Sequence, residues 1–172
     1  MGSHDHIDHN YINAVKCNFV HLNETGSFSE HGIEIKRVRT FHDKVSGAKK
    51  GKNIIYNFII DGINVCHCGD LGHILDFNLV EEIGYVDILL IPVGGEFTID
   101  AFDAVDVVKQ LNPIVIIPMH YRIKALGIIG LAFAKIDKFI SESGLLSKEY
   151  KELELNSGNI KNYSGVAVLK YD

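Results

Sequence analysis

The sequence predicts a mixed α/β fold. Three patterns predict it: short apolar runs rich in β-branched residues, stretches with apolar residues at helical spacing, and a strand–helix–strand alternation mid-chain. The 172 residues are 47% hydrophobic and 23% charged, which suits one domain spanning 1–172. Ile33–Phe41 (IEIKRVRTF) alternates in part and reads as a strand. Residues 54–60 and 63–68 form two further apolar runs across Asp61-Gly62, a pair that supplies the positive φ angles of a tight primed hairpin turn. Residues 87–93 and 113–119 are short runs of the kind buried on both faces, and between them Ala101, Ala104, Val105, Val108 and Leu111 recur at helical spacing. Thr98 and Asp100 stand where an N-cap and a first-turn acid belong, and Pro113 stops that helix. A second helix is expected over 131–143, with Phe133, Ile136, Phe139 and Ile140 on one face and Gly144 as its stop. Residues 165–171 (GVAVLKY) read as a last strand, and 46–52 (SGAKKGK) as an exposed turn.

Charge narrows the choice of partner. Seventeen Lys and Arg against twenty-two Asp and Glu leave a net charge of −5 without blocks of like charge, so neither a nucleic-acid footprint nor a polybasic membrane patch is expected. The apolar runs fall well short of the roughly 18 residues that span a bilayer, and the opening segment lacks a basic-then-apolar signal pattern. The chain therefore reads as soluble and cytoplasmic. Cys17, Cys66 and Cys68 are an odd number, Cys66 and Cys68 share one strand face at a spacing unsuited to a mutual disulfide or a CxxC zinc knuckle, and the three read as reduced, mostly buried thiols.

The chemical signal lies in the histidines and aspartates. His4, His6 and His9 fall within six residues, interleaved with Asp5 and Asp8, and imidazole and carboxylate are the nitrogen and oxygen ligands that Zn²⁺ and related ions accept. Taken alone, that run also suits an exposed polar terminus. Three further residues each follow a strand-like run: His42 in Phe41-His42-Asp43, Asp70 in Cys68-Gly69-Asp70, and His120 in Met119-His120-Tyr121. Residues just past strand ends gather in the crevice outside a sheet's carboxyl edge, where α/β folds place their sites.

The ordered set of HxHxDH, a His, a Gly-Asp and a His after a strand resembles the metallo-β-lactamase-fold hydrolases. More narrowly, His67-Cys68-Gly69-Asp70-Leu71-Gly72-His73, Pro92-Val93-Gly94-Gly95 with Thr98 and Asp100, and Ile117-Pro118-Met119-His120-Tyr121 resemble the branch related to L-ascorbate-6-phosphate lactonase. The resemblance implies a four-layer αββα sandwich with the site at one edge. It makes His4, His6 and His42 ligands of one metal, Asp8, His9 and His120 ligands of a second, and Asp70 the bridge. Two cations roughly 3.5 to 4 Å apart lower the pKa of a shared water and polarise the oxygen under attack. Asp8 and Asp70 are then the catalytic carboxylates, with Asp8 orienting the hydroxide. The implied cofactors are two divalent ions, Zn²⁺ first, with Mn²⁺, Fe²⁺ or Ni²⁺ as alternatives. The implied reaction is hydrolysis of a small ester, lactone, amide or phosphoester.

Several positions carry a second reading. His31 or His67 can be proposed in place of His42, and strand alternation turns His67 away from Cys66 and Cys68, toward a packed or supporting role. His73 and Tyr121 are candidates for substrate contact, each balanced by a structural role. In the resembled family a set of strands precedes the HxHxDH loop, whereas this chain opens on the loop itself. The expectation is an N-terminally truncated domain with an incomplete first sheet, which dimerises as a homo-oligomer or exposes an open edge. Competing functions are a metal-dependent phosphodiesterase or nuclease, disfavoured by the acidic balance, and a non-catalytic metal-binding fold that docks a partner.

Overall fold

A computed structural model describes residues 12–22 and 24–170. His4, His6, Asp8 and His9 lie outside the described residues, as does the end of the expected last strand. Eight strands form one sheet in the order β1-β2-β3-β4-β5-β6-β8-β7. They are β1 (Gly26–Glu30), β2 (Ile33–Phe41), β3 (Lys52–Ile60), β4 (Ile63–His67), β5 (Ile88–Pro92), β6 (Val115–Met119), β7 (Ser147–Tyr150) and β8 (Gly165–Leu169). The first four pair antiparallel, and from β4 onward every pair is parallel. Of the two sheets in the expected sandwich, the described residues form this one.

The turns explain the antiparallel half. Asp61 (φ 51) and Gly62 (φ 77) both lie in the left-handed region, as the primed turn between β3 and β4 demands. His31 (φ 52) and Gly32 (φ 79) repeat that geometry between β1 and β2, a hairpin the sequence reading left out because GSFSE offers no apolar run. The charged edge strand β7 (SKEY) escaped for the same reason, and its Lys148 and Glu149 suit an unpaired edge.

Three helices sit on one face, α1 (Phe77–Ile83), α2 (Ala101–Leu111) and α3 (Ile136–Ser143). Asp100 rather than Thr98 caps α2, accepting from Phe102 and Asp103 N–H, and Asp103 is the first-turn acid; the Thr98 hydroxyl reaches only the Ile99 carbonyl, at 3.3 Å. The second expected helix is shorter than 131–143. Residues Ile129–Ala132 form a 3₁₀ turn, and α3 starts at Ile136 and ends on Gly144 in the left-handed region. Helix α1 was not expected; Asp76 caps it by accepting from Leu79 N–H, and Gly84 terminates it. The main core joins these helices to Val38, Ile55, Cys66, Leu89, Ile91, Ile116 and Val166 of the sheet. On the opposite face a smaller cluster of Ile63, Ile88, Val115 and Ala167 packs under Ile160.

Asn57 ties the end of α1 to the sheet by donating from Nδ2 to the Ile83 and Tyr85 carbonyls. Cys66 and Cys68 are fully buried as expected, while Cys17 is exposed. No helix among the described residues is long and apolar enough to cross a membrane.

Candidate metal centre

Strands β2, β4, β5 and β6 run in the same direction, so their carboxyl ends lie along one edge of the sheet. His42 follows β2, Asp70 follows β4 and His120 follows β6. The structure brings the three together. Asp70 Oδ2 lies 3.0 Å from His42 Nε2, and Oδ1 lies 4.0 Å from His120 Nε2. One nearly buried carboxylate thus turns an oxygen toward each of two imidazoles, and His42 is nearly buried with it.

Each residue is held from behind. Asn53 of β3, fully buried, uses every polar atom of its side chain: Oδ1 accepts from Asp70 N–H at 2.9 Å, and Nδ2 donates to the Cys68 carbonyl and to Thr40 Oγ1. The amide therefore fixes the backbone on both sides of Gly69, whose φ of 58 sets the turn. His67 Nδ1 accepts from Gly69 N–H and tightens the same turn, the supporting role strand alternation suggested.

His42 is placed by backbone approach. Gly72 donates to the Phe41 carbonyl at 2.9 Å, and a Cβ on Gly72 would overlap the His42 carbonyl and the Asp43 amide. Only glycine lets these two loops meet so closely. Asp43, next in sequence, organises the turn after β2, its carboxylate accepting from the N–H groups of Val45, Gly47, Lys49 and Lys50. Burial pushes this carboxyl up, the four backbone donors outweigh it, and its pKa falls from 3.8 to about 2.

His120 is placed by the end of β6. The β6–β8 ladder consists of Val115↔Gly165 and Ile116↔Val166 and ends before Pro118, which carries no N–H to extend it. On its other side β6 stays paired with β5 through Met119, and His120, the next residue, adopts φ 57, an uncommon backbone conformation for a residue with a side chain. Gly94 makes room for this residue, because a Cβ at that position would overlap the His120 carbonyl oxygen.

The two candidate substrate residues sit differently. His73 accepts from Phe41 N–H at Nε2 (3.2 Å), which ties its loop to the end of β2, and its Nδ1 contacts the carbonyl of the next residue, Ile74 (2.8 Å). Tyr121 is half-buried against the main core. His31 lies exposed in its hairpin turn. Asn53, Gly72 and Gly94 are supports the site reading missed. The detectable signal for the first was an amide at the head of a largely apolar strand, one of two there with Asn57.

The donor set fits a divalent cation: imidazole nitrogens and carboxylate oxygens, converging at a sheet edge. Among the described residues no group of three or more His, Cys, Asp or Glu could hold an ion alone.

Comparisons with known proteins bear on the fold and the family. Residues 1–120 match the family described as Beta-lactamase superfamily domain. A UPF0173 metal-dependent hydrolase from Thermoplasma acidophilum is 32% identical over 104 residues, covering 60% of this chain and 46% of its own length. Another from Pelotomaculum thermopropionicum is 35% identical over 103 residues, covering 56% and 45%. The chain spans about half the length of the curated relatives it matches. A crystal structure described as a Zn-dependent hydrolase of the metallo-β-lactamase superfamily from Thermotoga maritima is 39% identical, superposes with a TM-score of 0.81, and is covered to 78% by 97% of this chain. A metallo hydrolase from Ignicoccus hospitalis, at 20% identity, shares the fold with a TM-score of 0.66 over 98% of this chain and 74% of its own. With that family model matched over more than half of the chain, the chain belongs to the metallo-β-lactamase superfamily.

Proposed function

We propose that this chain carries the centre of a metal-dependent hydrolase that uses two divalent cations on a small ester, lactone or phosphoester. The observation that carries the reading is the Asp70 carboxylate set between His42 and His120, in a chain whose relatives are named metal-dependent hydrolases. In this reading His4, His6 and His42 hold one cation, Asp8, His9 and His120 the other, and Asp70 faces both. When bound, such a pair supplies a low-pKa water and an electrophile for the oxygen under attack. The chain's own contribution is placement. Asn53 fixes Asp70, Gly72 and His73 fix the segment bearing His42, and Gly94 fixes His120. Asp8 is assigned to orient the attacking water.

Zn²⁺ is the first choice of metal on the imidazole-rich donor set, with Mn²⁺, Fe²⁺ or Ni²⁺ admitted by the same ligands. The segment from His67 to His73 supports kinship with the L-ascorbate-6-phosphate lactonase branch, and so a small cyclic or phosphorylated substrate. The net charge of −5 favours such a molecule over nucleic acid.

The test is metal content per chain by mass spectrometry, beside an Asp70→Ala variant purified identically. About two ions per chain are expected, with a marked fall in the variant. Turnover of generic esters or bis-p-nitrophenyl phosphate should drop by more than about 100-fold, beyond what loss of an outer supporting residue costs. A folded protein that binds no metal, or a variant of unchanged turnover, overturns the reading.

A further inference from the structure

Beside the centre stands an aromatic row that begins against His120. The Phe133 ring meets the His120 ring edge-on, centroids 4.9 Å apart at 77°, and Phe97 continues the row 5.7 Å beyond Phe133 at 53°. Phe97 is 46% exposed. A single exposed phenylalanine is ordinary on a protein surface, but the backbone that presents this one is not. Gly95 (φ 68) and Glu96 (φ 56) lie consecutively in the left-handed region immediately before it, and Glu96 gains no glycine-like freedom there.

That turn is rooted in the site. Gly95 N–H donates to the Ile99 carbonyl, and Ile99 N–H donates to the carbonyl of Leu71, the residue after Asp70. Lys50, from the turn built on Asp43, donates to the Glu96 carbonyl at 2.8 Å and places its ammonium 5.3 Å from the Phe97 centroid. On the other side, Ala134 N–H donates to the Gly94 carbonyl at 2.8 Å, fixing the residue next to Phe133. Three loops thus converge to hold two rings in a row that starts at His120. A core-packing role would bury Phe97, and a purely solvated turn would not need this anchoring.

We propose that Phe97 and Phe133 are specificity residues: they form the wall against which a substrate lays an aromatic or similarly planar apolar group while its ester or phosphoester reaches His120. Aromatic pairs in tilted geometry at these separations attract beyond simple area burial, and an added ring extends the row. Lys50 acts on the wall as a positioning residue, through its bond to Glu96 and its charge over the ring. This inference rests on the assignment of the His42–Asp70–His120 edge as the hydrolytic centre.

The experiment compares phenylphosphonate and methylphosphonate binding to the metal-loaded full chain by calorimetry, in wild type, Phe97→Ala and Phe133→Leu. Both probes offer the same oxyanion, and they differ in the ring. Wild type should bind phenylphosphonate about tenfold more tightly. In Phe97→Ala that preference should shrink to within about twofold, with methylphosphonate affinity and metal content unchanged. Phe133→Leu, which keeps apolar bulk, should lose part of the preference. Equal affinity for the two probes in wild type, or a preference untouched by Phe97→Ala, overturns the wall and leaves the centre standing. Failure of both probes to bind the metal-loaded protein overturns the centre and the wall together.

Discussion

The antiparallel and parallel halves of the sheet hold their site residues by different means. In the antiparallel half, polar side chains do most of the holding, beside the close approach of Gly72 to His42: Asn53 grips the Asp70 segment, His73 ties its loop to the end of β2, and Asp43 gathers four amides behind His42. In the parallel half the work falls to backbone shape, with Pro118 at the end of a ladder, His120 at positive φ and Gly94 pressed against its carbonyl. The difference follows from burial. Strands β5 and β6 are packed on both faces with apolar side chains, leaving little room for a polar network. Strands β2 and β3 carry Thr40, Asn53 and Asn57 inside, where each needs a partner and can therefore serve as a bracket.

The largest effect should come from breaking the polar bracket. Asn53→Ala leaves the Asp70 amide, the Cys68 carbonyl and the Thr40 hydroxyl without that partner, at roughly 3–5 kcal/mol for three buried groups. A large fall in urea midpoint together with loss of bound metal is expected. A variant of wild-type stability would show that the network is not what holds the antiparallel half. Next is the backbone contact of the other half. Gly94→Ala forces the His120 loop to shift and should cost about 1–3 kcal/mol, as overpacking does, with metal affinity falling. If only stability falls and metal binding is untouched, that contact is packing and not placement of His120.

A smaller effect sharpens the contrast by missing the site altogether. Asp100→Ala removes the α2 cap from Phe102 and Asp103 N–H, for about 1 kcal/mol, and should leave metal content unchanged. The smallest effect appears only in acid. Asp43 has a folded pKa of about 2 against 3.8, so its contribution is fully present above pH 4 and is lost as pH falls toward 2. Urea titrations at pH 5 and pH 3 should show that loss in wild type and a shallower one in Asp43→Asn; parallel pH dependences would mean the four amide bonds do not favour the charged form.

The same contrast explains what the sequence disclosed. Strand β2 and helix α2 were legible at nearly their observed bounds because apolar periodicity dominates them. His42, Asp70 and His120 stood out because each is a polar residue just past an apolar run. Strand β1, with the sequence GSFSE, has no such pattern and is a strand only because the His31-Gly32 turn folds it onto β2. Asn53 passed unnoticed because one amide at a strand's start resembles punctuation, and only the register with β4 shows what it reaches. The glycines that matter, Gly72 and Gly94, looked like ordinary turn residues, since close approach between distant loops leaves no local trace. His4, His6, Asp8 and His9 were the plainest signal of all, and they fall outside the described residues.

The cysteines give the molecule a practical handle. Cys66 and Cys68 share a closed interior, and the hydrogen bond between them and their burial push the Cys68 thiol well above its usual range. Cys17 stands in solvent, six residues beyond the undescribed opening segment. A maleimide dye applied to the folded protein should therefore label one thiol of three. It would report from a point eight residues along the sequence from His9, the last residue of the HxHxDH run.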